Sequence, residues 1–228
     1  MAQQAPFRPL PVIPGFSNYA RRVWWRGFEL TPGVCVKTQV RLRPGLAALA
    51  DDPRHLLPAL LQAASAALSL HPRLNFFTFW GQLVWAGEPV RVGVVMENPD
   101  LSCDMATISD AHRRSWPELR QAIRQGRQTP PPTTWDRLRE AWPLPTYALE
   151  RLSGLWARRY MRINGPLLIS MLALKGIEEL TFTPAHSMAL LPGWPRDGLL
   201  PLSLCFNHQL ANARPVGRLL LTIKELLE

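Results

Sequence analysis

The C-terminal segment LPLSLCFNHQLANARPVGRLLLTIKELLE joins an apolar run, a polar NHQ tripeptide and a periodic apolar pattern. The apolar run has the length and composition of a buried strand. The polar tripeptide after it marks the point where the strand leaves the core, because buried polar groups need hydrogen-bonding partners. The segment therefore predicts a buried strand that ends at His208. A helix from about Pro215 follows, whose apolar face consists of Leu219, Leu220, Ile223, Leu226 and Leu227.

The rest of the chain mixes strand-like and helix-like segments without a regular βαβ order and without a repeat. VCVKTQVRL (34–42) alternates as a half-buried strand does, and HLLPALLQAASAALSLHP (55–72) predicts a well-buried helix. Further predicted elements are a hairpin about Gly81, a strand at 91–96, an acidic loop with Asp100 and Asp104, a capped helix from Ser115 to Gly126, helices near 135–142 and 146–162, and strands within GPLLISMLAL, SMALLPG and LLPLSLCF. Pattern alone thus predicts an α/β or α+β chain.

Composition narrows the class of protein. The 228 residues are 47% hydrophobic, so a sizeable core can form, and the net charge is +9. The basic residues are spread along the chain, which favours an anionic ligand or acidic protein partner over a nucleic acid. The three cysteines show no CxxC spacing, so the sequence indicates neither a zinc site nor a disulfide framework. No apolar run reaches membrane-span length and prolines interrupt the N-terminus, which favours a cytoplasmic protein.

Prolines suggest how the chain is divided. Residues 1–20 are proline-rich, and the body is predicted to be a single domain over 21–228 with a helical insertion near 128–163. The breaker QTPPPTTW begins that insertion and leaves open whether it separates two domains or connects two elements. The insertion is rich in aromatic residues, so it builds an apolar pocket, covers the mouth of a channel or serves as packing.

Two C-terminal motifs and a weaker N-terminal one carry a resemblance to a known family. NGPLLISMLALKGIEELTFTPAHSMALLPG (164–193) resembles a GTFTISNLGxxG segment followed by an AILGxG strand, and NHQLANA resembles DHRxxDG before a final helix. ALLQAASAALSLHPRLN resembles an earlier helix of the same family. The family is that of the acyltransferase catalytic domains of 2-oxo acid dehydrogenase complexes, which share the chloramphenicol acetyltransferase fold. The resemblance implies a two-layer α/β sandwich with a mixed β-sheet.

The resemblance also implies a site. His208 corresponds to the family's general base and Ser170 to its oxyanion donor, which come from neighbouring subunits of a homotrimer. Such a site moves an acyl group from a thioester of coenzyme A or of an acyl carrier protein to a small or carrier-bound acceptor. No tightly bound cofactor is expected, since the phosphopantetheine thioester is a substrate. The chain resembles the catalytic domain alone, without a lipoyl domain, so a stand-alone member is predicted.

Departures from the motif keep a second interpretation open. Asn212 stands where the family has the aspartate that holds the loop of the histidine, and Ala213 stands where it has glycine. An asparagine can hydrogen-bond but cannot form an ion pair. The alternative is a catalytically inactive scaffold or binding subunit of a biosynthetic assembly. Other candidates implied by the resemblance are His186, at the family's channel between subunits, and Arg158, Arg159 and Arg162, as contacts for the phosphates of coenzyme A.

Overall fold

The computed structural model describes residues 33–79, 82–97, 103–126, 141–142, 165–170, 181, 188–208 and 211–228. Within these ranges the strands are β1 (Gly33–Arg41), β2 (Phe76–Phe79), β3 (Gln82–Trp85), β4 (Arg91–Glu97), β5 (Cys103–Ser109), β6 (Leu167–Ser170), β7 (Met188–Pro192) and β8 (Leu199–Asn207). The α-helices are α1 (Pro44–Ala47), α2 (Leu57–Leu70), α3 (Trp116–Gly126) and α4 (Ala213–Leu227), and short 3₁₀ helices span Pro53–Leu56, Pro72–Leu74 and Ala111–Arg113.

One mixed sheet organises the described part of the chain. Its six strands lie in the order β1-β8-β7-β6-β4-β5. Strand β6 runs parallel to β4 and to β7, whereas the other neighbouring pairs are antiparallel. Strands β2 and β3 form a separate hairpin, as predicted. The central strands β6 and β7 are buried throughout, which explains their continuous apolar runs, because both of their faces are covered.

The main hydrophobic core lies between this sheet and the helices α2 and α4. Ten of the fourteen residues of α2 are buried, so this helix is buried around most of its circumference, as its sequence predicts. Helix α4 is amphipathic and buries one stripe made of Val216, Leu219, Leu220, Ile223 and Leu227. Alternate residues of the central strands point into this core, among them Leu167, Ile169, Leu190, Leu204 and Phe206.

The opposite face of the sheet carries a smaller cluster. Leu168, Ala189, Leu191 and Cys205 are buried there, and the partly buried Cys35 packs against them. Successive side chains of a strand point to opposite faces, so Ser170, two residues after Leu168, belongs to this second face. The sheet therefore separates a helix-covered core from a face with smaller side chains.

A glycine sets the entry into β6. Gly165 has a φ of +65°, and a Cβ at this position would lie 2.7 Å from the carbonyl oxygen of Arg91. Only glycine reaches this conformation without strain and also leaves room for the neighbouring backbone. The close approach brings β6 alongside β4, whose Val92 pairs with Leu167.

Two local predictions need correction. Asp104 lies in strand β5, not in an acidic loop. The pattern of CDMATIS was missed because β5, which among the described strands pairs with β4 alone, is an outermost strand and needs few apolar residues. The arginine-rich sequence around His112 predicts an exposed turn, whereas His112 lies at a 3₁₀ helix with its Nδ1 2.8 Å from Ser65 Oγ and is partly buried.

The N-terminus of α3 is capped nearly as predicted. The Ser115 backbone N–H donates to Glu118 Oε2 at 2.7 Å, which is one half of a capping box. The Ser115 hydroxyl donates to the same oxygen at 2.7 Å. The Glu118 carboxylate is therefore held by two donors at the helix start.

No helix within the described ranges has both the length and the apolar character that crossing a membrane requires.

Candidate functional site

Ser170 is the last residue of β6 and is buried, with 2% of its surface exposed. Its hydroxyl makes no hydrogen bond. In the part of the chain that the structure describes, only one other buried side-chain atom, Asn75 Oδ1, shares this condition. Buried polar groups are nearly always paired, since leaving one unpaired costs about 1–3 kcal/mol. An unpaired hydroxyl at a strand end is therefore a candidate contact for a ligand.

His208 follows the last residue of β8 and is exposed. Its ring stacks on Phe206 with centroids 6.3 Å apart and an interplanar angle of 25°. Phe206 is fully buried in the main core, so this contact restrains the imidazole from one side. The preceding residue, Asn207, is also fully buried and pairs with Gly33 of β1. The polar tripeptide thus begins inside the sheet and emerges at His208.

Asn212 occupies the N-cap position of helix α4, with φ −75° and ψ 162°. Its side chain is exposed and accepts no capping hydrogen bond. Among the described residues, no hydrogen bond links Asn212 to His208. The predicted role of Asn212 in holding the histidine is therefore not visible within this chain, and it stays a prediction.

The sheet register separates Ser170 from His208. Residues 167–169 of β6 pair with 188–190 of β7, which places Ser170 beside Leu191, and Leu191 pairs with Ser203 of β8. Strand β8 runs antiparallel to β6, so its C-terminal end at Asn207 and the C-terminal end of β6 at Ser170 lie at opposite ends of the strands. Five residues along β8 and two strand spacings across put the two side chains roughly 15–20 Å apart. One chain does not bring the candidate base and the candidate donor together.

A sequence-only view also missed the neighbour of Ser170 on this face. Ser203 is buried, with 3% exposure, at the same level of the sheet two strands away. Sequence offers no signal for this proximity, because 33 positions separate the two serines and only strand order makes them neighbours. The second face thus carries two buried hydroxyls at one level.

A groove of about 230 Å³ lies on the helical side of the molecule and is separate from this site. It is lined by Arg43, Ala59, Gln62, Ala63, Ala66, His112, Leu226 and Leu227. Neither Ser170 nor His208 contributes to it. The groove lies at the surface of α2 and α4, on the core side of the sheet, so it does not extend the candidate site.

The carboxyl groups with shifted pKa values lie at helix ends. Hydrogen bonds from Arg54 and Ser115 hold the pKa values of Asp52 and Glu118, respectively, below their usual range. A hydrogen bond from Lys224 does the same for the pKa of Glu228. These carboxylates cap or clamp helices, so none of them is a candidate acid or base for the site.

Several predicted contacts lie outside the described residues. These are His186, Arg158, Arg159, Arg162, most of the predicted insertion near 128–163, and residues 1–20. Across the described ranges, no group of three or more His, Cys, Asp or Glu side chains could hold a metal ion. The described residues thus place a buried hydroxyl and an exposed imidazole at opposite ends of the strands of one sheet.

Comparisons with known proteins agree with this architecture. No protein-family model matches the chain, and no curated protein matches it. Solved structures do. The dihydrolipoamide acetyltransferase of Azotobacter vinelandii aligns with a TM-score of 0.61 and 18% identity, over 98% of this chain and 97% of that chain. It comes from a crystallographic and enzymatic study of the catalytic roles of a serine, a histidine and an asparagine four positions after the histidine.

Two further solved structures have the same architecture. The cubic core of a pyruvate dehydrogenase multienzyme complex aligns with a TM-score of 0.61 and 19% identity, over 98% of this chain and 97% of that chain. A chloramphenicol acetyltransferase aligns with a TM-score of 0.54 and 13% identity, over 92% of this chain and 95% of that chain. The predicted fold is confirmed: the chain has the α/β fold of chloramphenicol acetyltransferase and of the 2-oxo acid dehydrogenase acyltransferases.

Proposed function

We propose that the protein is an acyltransferase that moves an acyl group from a thioester of coenzyme A or of an acyl carrier protein to a small or carrier-bound acceptor. The observation that carries this proposal is the Ser170 hydroxyl, which is buried and unpaired at a strand end. In an acyltransferase fold, this position suits a donor reserved for charge that appears only during the reaction.

The chemistry needs two groups. His208 removes the proton of the acceptor hydroxyl, amine or thiol as the acceptor attacks the thioester carbonyl. The carbonyl oxygen becomes negative in the tetrahedral intermediate, and the Ser170 hydroxyl donates a hydrogen bond to it. When the intermediate collapses, the carbon–sulfur bond breaks, and the departing thiolate receives the proton from the imidazolium. Acyl group, proton and electron pair are then accounted for without a resident cofactor.

The separation of the two groups supports an assembly with sites between subunits. The two side chains lie at opposite ends of the strands, roughly 15–20 Å apart by strand geometry. In a closed ring with head-to-tail interfaces, the end of the sheet that carries His208 in one chain can meet the end that carries Ser170 in the next chain. A homotrimer is the assembly we propose. The likeness to a core of a multienzyme complex is compatible with a larger assembly.

The asparagine at position 212 is compatible with activity. The solved acetyltransferase from Azotobacter vinelandii has a histidine and an asparagine with the same spacing of four residues, and both were studied for their catalytic roles. Asn212 therefore does not by itself favour the inactive alternative. Ala213 in place of the family's glycine remains the departure that distinguishes this chain.

The acyl donor follows from charge and from the predicted chemistry. The chain carries a net charge of +9, and both coenzyme A and acyl carrier proteins present phosphate or carboxylate groups to a partner. A positive surface raises the local concentration of such donors and speeds their binding. Arg158, Arg159 and Arg162 stay predicted contacts for these phosphates.

The deciding experiment measures thiol release from a panel of coenzyme A and carrier-protein thioesters. The natural protein is compared with His208→Ala, and Ser65→Ala serves as a control for loss of a buried hydroxyl outside the proposed site. We expect turnover that disappears in His208→Ala and persists in Ser65→Ala. Absence of turnover with every donor, in a protein that is folded and assembled, would overturn the proposal in favour of a scaffold.

A further inference from the structure

Two cysteines lie directly opposite each other on adjacent strands of the sheet, one in the outermost strand β1 and one in β8. Strand β1 pairs with β8 without a break from Gly33 opposite Asn207 to Arg41 opposite Leu199, and this register sets Cys35 directly opposite Cys205. The two residues are 170 positions apart in sequence, so only the fold brings them together. Neither forms a disulfide in the structure.

Backbone hydrogen bonds identify the kind of pair. The Leu42 N–H donates to Gly198 O at 3.0 Å, so Leu42 and Gly198, which continue the β1–β8 register, are a hydrogen-bonded pair. Hydrogen-bonded and non-hydrogen-bonded pairs alternate along an antiparallel ladder. Cys35 lies an odd number of residues from Leu42, which makes Cys35 and Cys205 a non-hydrogen-bonded pair.

The outer edge of β1 leads to the same conclusion. The Arg41 N–H donates to Glu228 Oε1 at 3.1 Å, and Lys224 Nζ donates to the Gln39 carbonyl oxygen at 2.8 Å. Odd-numbered residues of β1 thus turn their main-chain groups away from β8. This is the orientation of residues in non-hydrogen-bonded pairs, and Cys35 shares it.

The pair type places the thiols within bonding reach. In a non-hydrogen-bonded pair the Cα atoms are about 4.5 Å apart and the side chains are at their closest. Disulfides span Cα separations of about 4.4–6.8 Å. Both side chains also lie on the same face, since Cys35 packs against the cluster that contains Cys205. The backbone therefore needs no rearrangement to accept the bond.

We propose that Cys35 and Cys205 form a reversible cross-strand disulfide by exchange with a low-molecular-weight disulfide such as oxidised glutathione. Cys35 is partly exposed, whereas Cys205 is 1% exposed, so the Cys35 thiolate attacks first. A mixed disulfide forms and one glutathione leaves as thiol. The Cys205 thiolate then displaces the second glutathione and closes the bond. Two protein thiols lose two electrons and two protons, and one disulfide becomes two thiols.

The disulfide would lie near the end of β8 that precedes His208. Cys205 precedes His208 by three residues, and the disulfide would join β1 to β8 next to the last rungs of their ladder. A cross-link across so long a loop stabilises the folded chain, chiefly by restricting the unfolded one. This modification site does not depend on acyl transfer and can be tested without any acyl donor.

The test uses the natural protein, equilibrated with mixtures of oxidised and reduced glutathione and then quenched with an alkylating reagent. Peptide mass spectrometry of the three cysteines is expected to show Cys35 linked to Cys205, with Cys103 alkylated. The linked form should melt at a temperature higher by roughly 5 °C or more. Absence of the Cys35–Cys205 peptide at every ratio, or random linkage with Cys103, would overturn the proposal.

Substitutions test whether disulfide formation requires two directly opposed cysteines in the β1–β8 register or only two cysteines that lie near each other. In Cys205→Ser, glutathione should remain attached to Cys35, because no resolving thiol is present. In Cys35→Ser combined with Lys37→Cys, the new thiol is a diagonal neighbour of Cys205 at about 7–8 Å and should close a bond at least about tenfold more slowly. Adding Cys205→Ser and Ser203→Cys to that variant creates a directly opposed pair and should restore closure. Equal rates in the diagonal and opposed variants would contradict the assigned register.

Discussion

At the scale of single residues, the two ends of the buried segment 165–170 have opposite relations to their surroundings. Gly165 is required by crowding, because Arg91 leaves no room for a side chain. Ser170 carries a hydroxyl that its own chain does not use. The first position contributes to stability and the second does not, so substitutions at the two positions should affect different measurements.

Ser170→Ala should leave stability unchanged or raise it slightly, because it removes an unpaired buried polar group. Acyl transfer should fall by about 10²–10³-fold if the hydroxyl stabilises the oxyanion. Thermal melting and the turnover number of the same preparation check both expectations. A loss of more than about 1 kcal/mol in unfolding free energy would mean that the hydroxyl has a structural partner.

Gly165→Ala should destabilise the chain by about 2–4 kcal/mol, since the new Cβ meets a carbonyl oxygen and the φ angle is positive. Gly45→Ala is the matched control, because nothing lies within 4 Å of a Cβ at that position in helix α1. The control should be neutral or stabilising by up to about 1 kcal/mol. Urea denaturation of both variants gives the comparison, and equal effects would show that the approach of Arg91 to Gly165 is not tight.

At the scale of elements, the start of α3 should respond to acid. Hydrogen bonds from Ser115 lower the pKa of Glu118 below its ordinary value of 4.5. A depressed carboxyl pKa stabilises the folded state above the unfolded value, and this contribution is lost as the pH falls through the lower folded value. Amide exchange in the first turn of α3 should therefore accelerate below about pH 4.5. Nuclear magnetic resonance titration should place the Glu118 midpoint below 4.5.

The control for this expectation is Glu118→Gln, which keeps an acceptor oxygen for Ser115 but has no proton to gain. Its first-turn amides should exchange at a rate that lacks the acid-dependent step. If the natural protein and the variant show the same step, the acid response arises from another group. A Glu118 midpoint at or above its ordinary value would show that the two hydrogen bonds are absent in solution.

At the scale of the whole molecule, the separation of Ser170 and His208 predicts complementation between inactive variants. Ser170→Ala and His208→Ala should each be inactive alone. When they are unfolded together and reassembled in equal amounts, a site that takes its histidine from one chain and its serine from the next should recover about a quarter of the natural activity. Activity no higher than the average of the two separate variants, after confirmed mixing, would contradict sites that form between chains.

The elements were largely predictable because their signals are local. The period of α4, the apolar runs of β7 and β8 and the hairpin of β2 and β3 follow from residues within a few positions of one another. Strand β5 was not predictable in this way, because an outermost strand with a polar Asp104 lacks the apolar pattern of a core strand. His112 was misjudged for a similar reason, since its partner Ser65 is 47 positions away.

The sequence by itself determined which residue types end the strands: a serine after an apolar run in β6 and a histidine after an apolar run in β8. It also carried the motif order from which the fold was inferred. Only the tertiary structure decided that these two residues lie at opposite ends of the strands, that the serine hydroxyl has no partner, and that Cys35 lies opposite Cys205. The physical reason is that strand order and register are set by pairing between distant segments and by burial of whole faces, which no local pattern encodes.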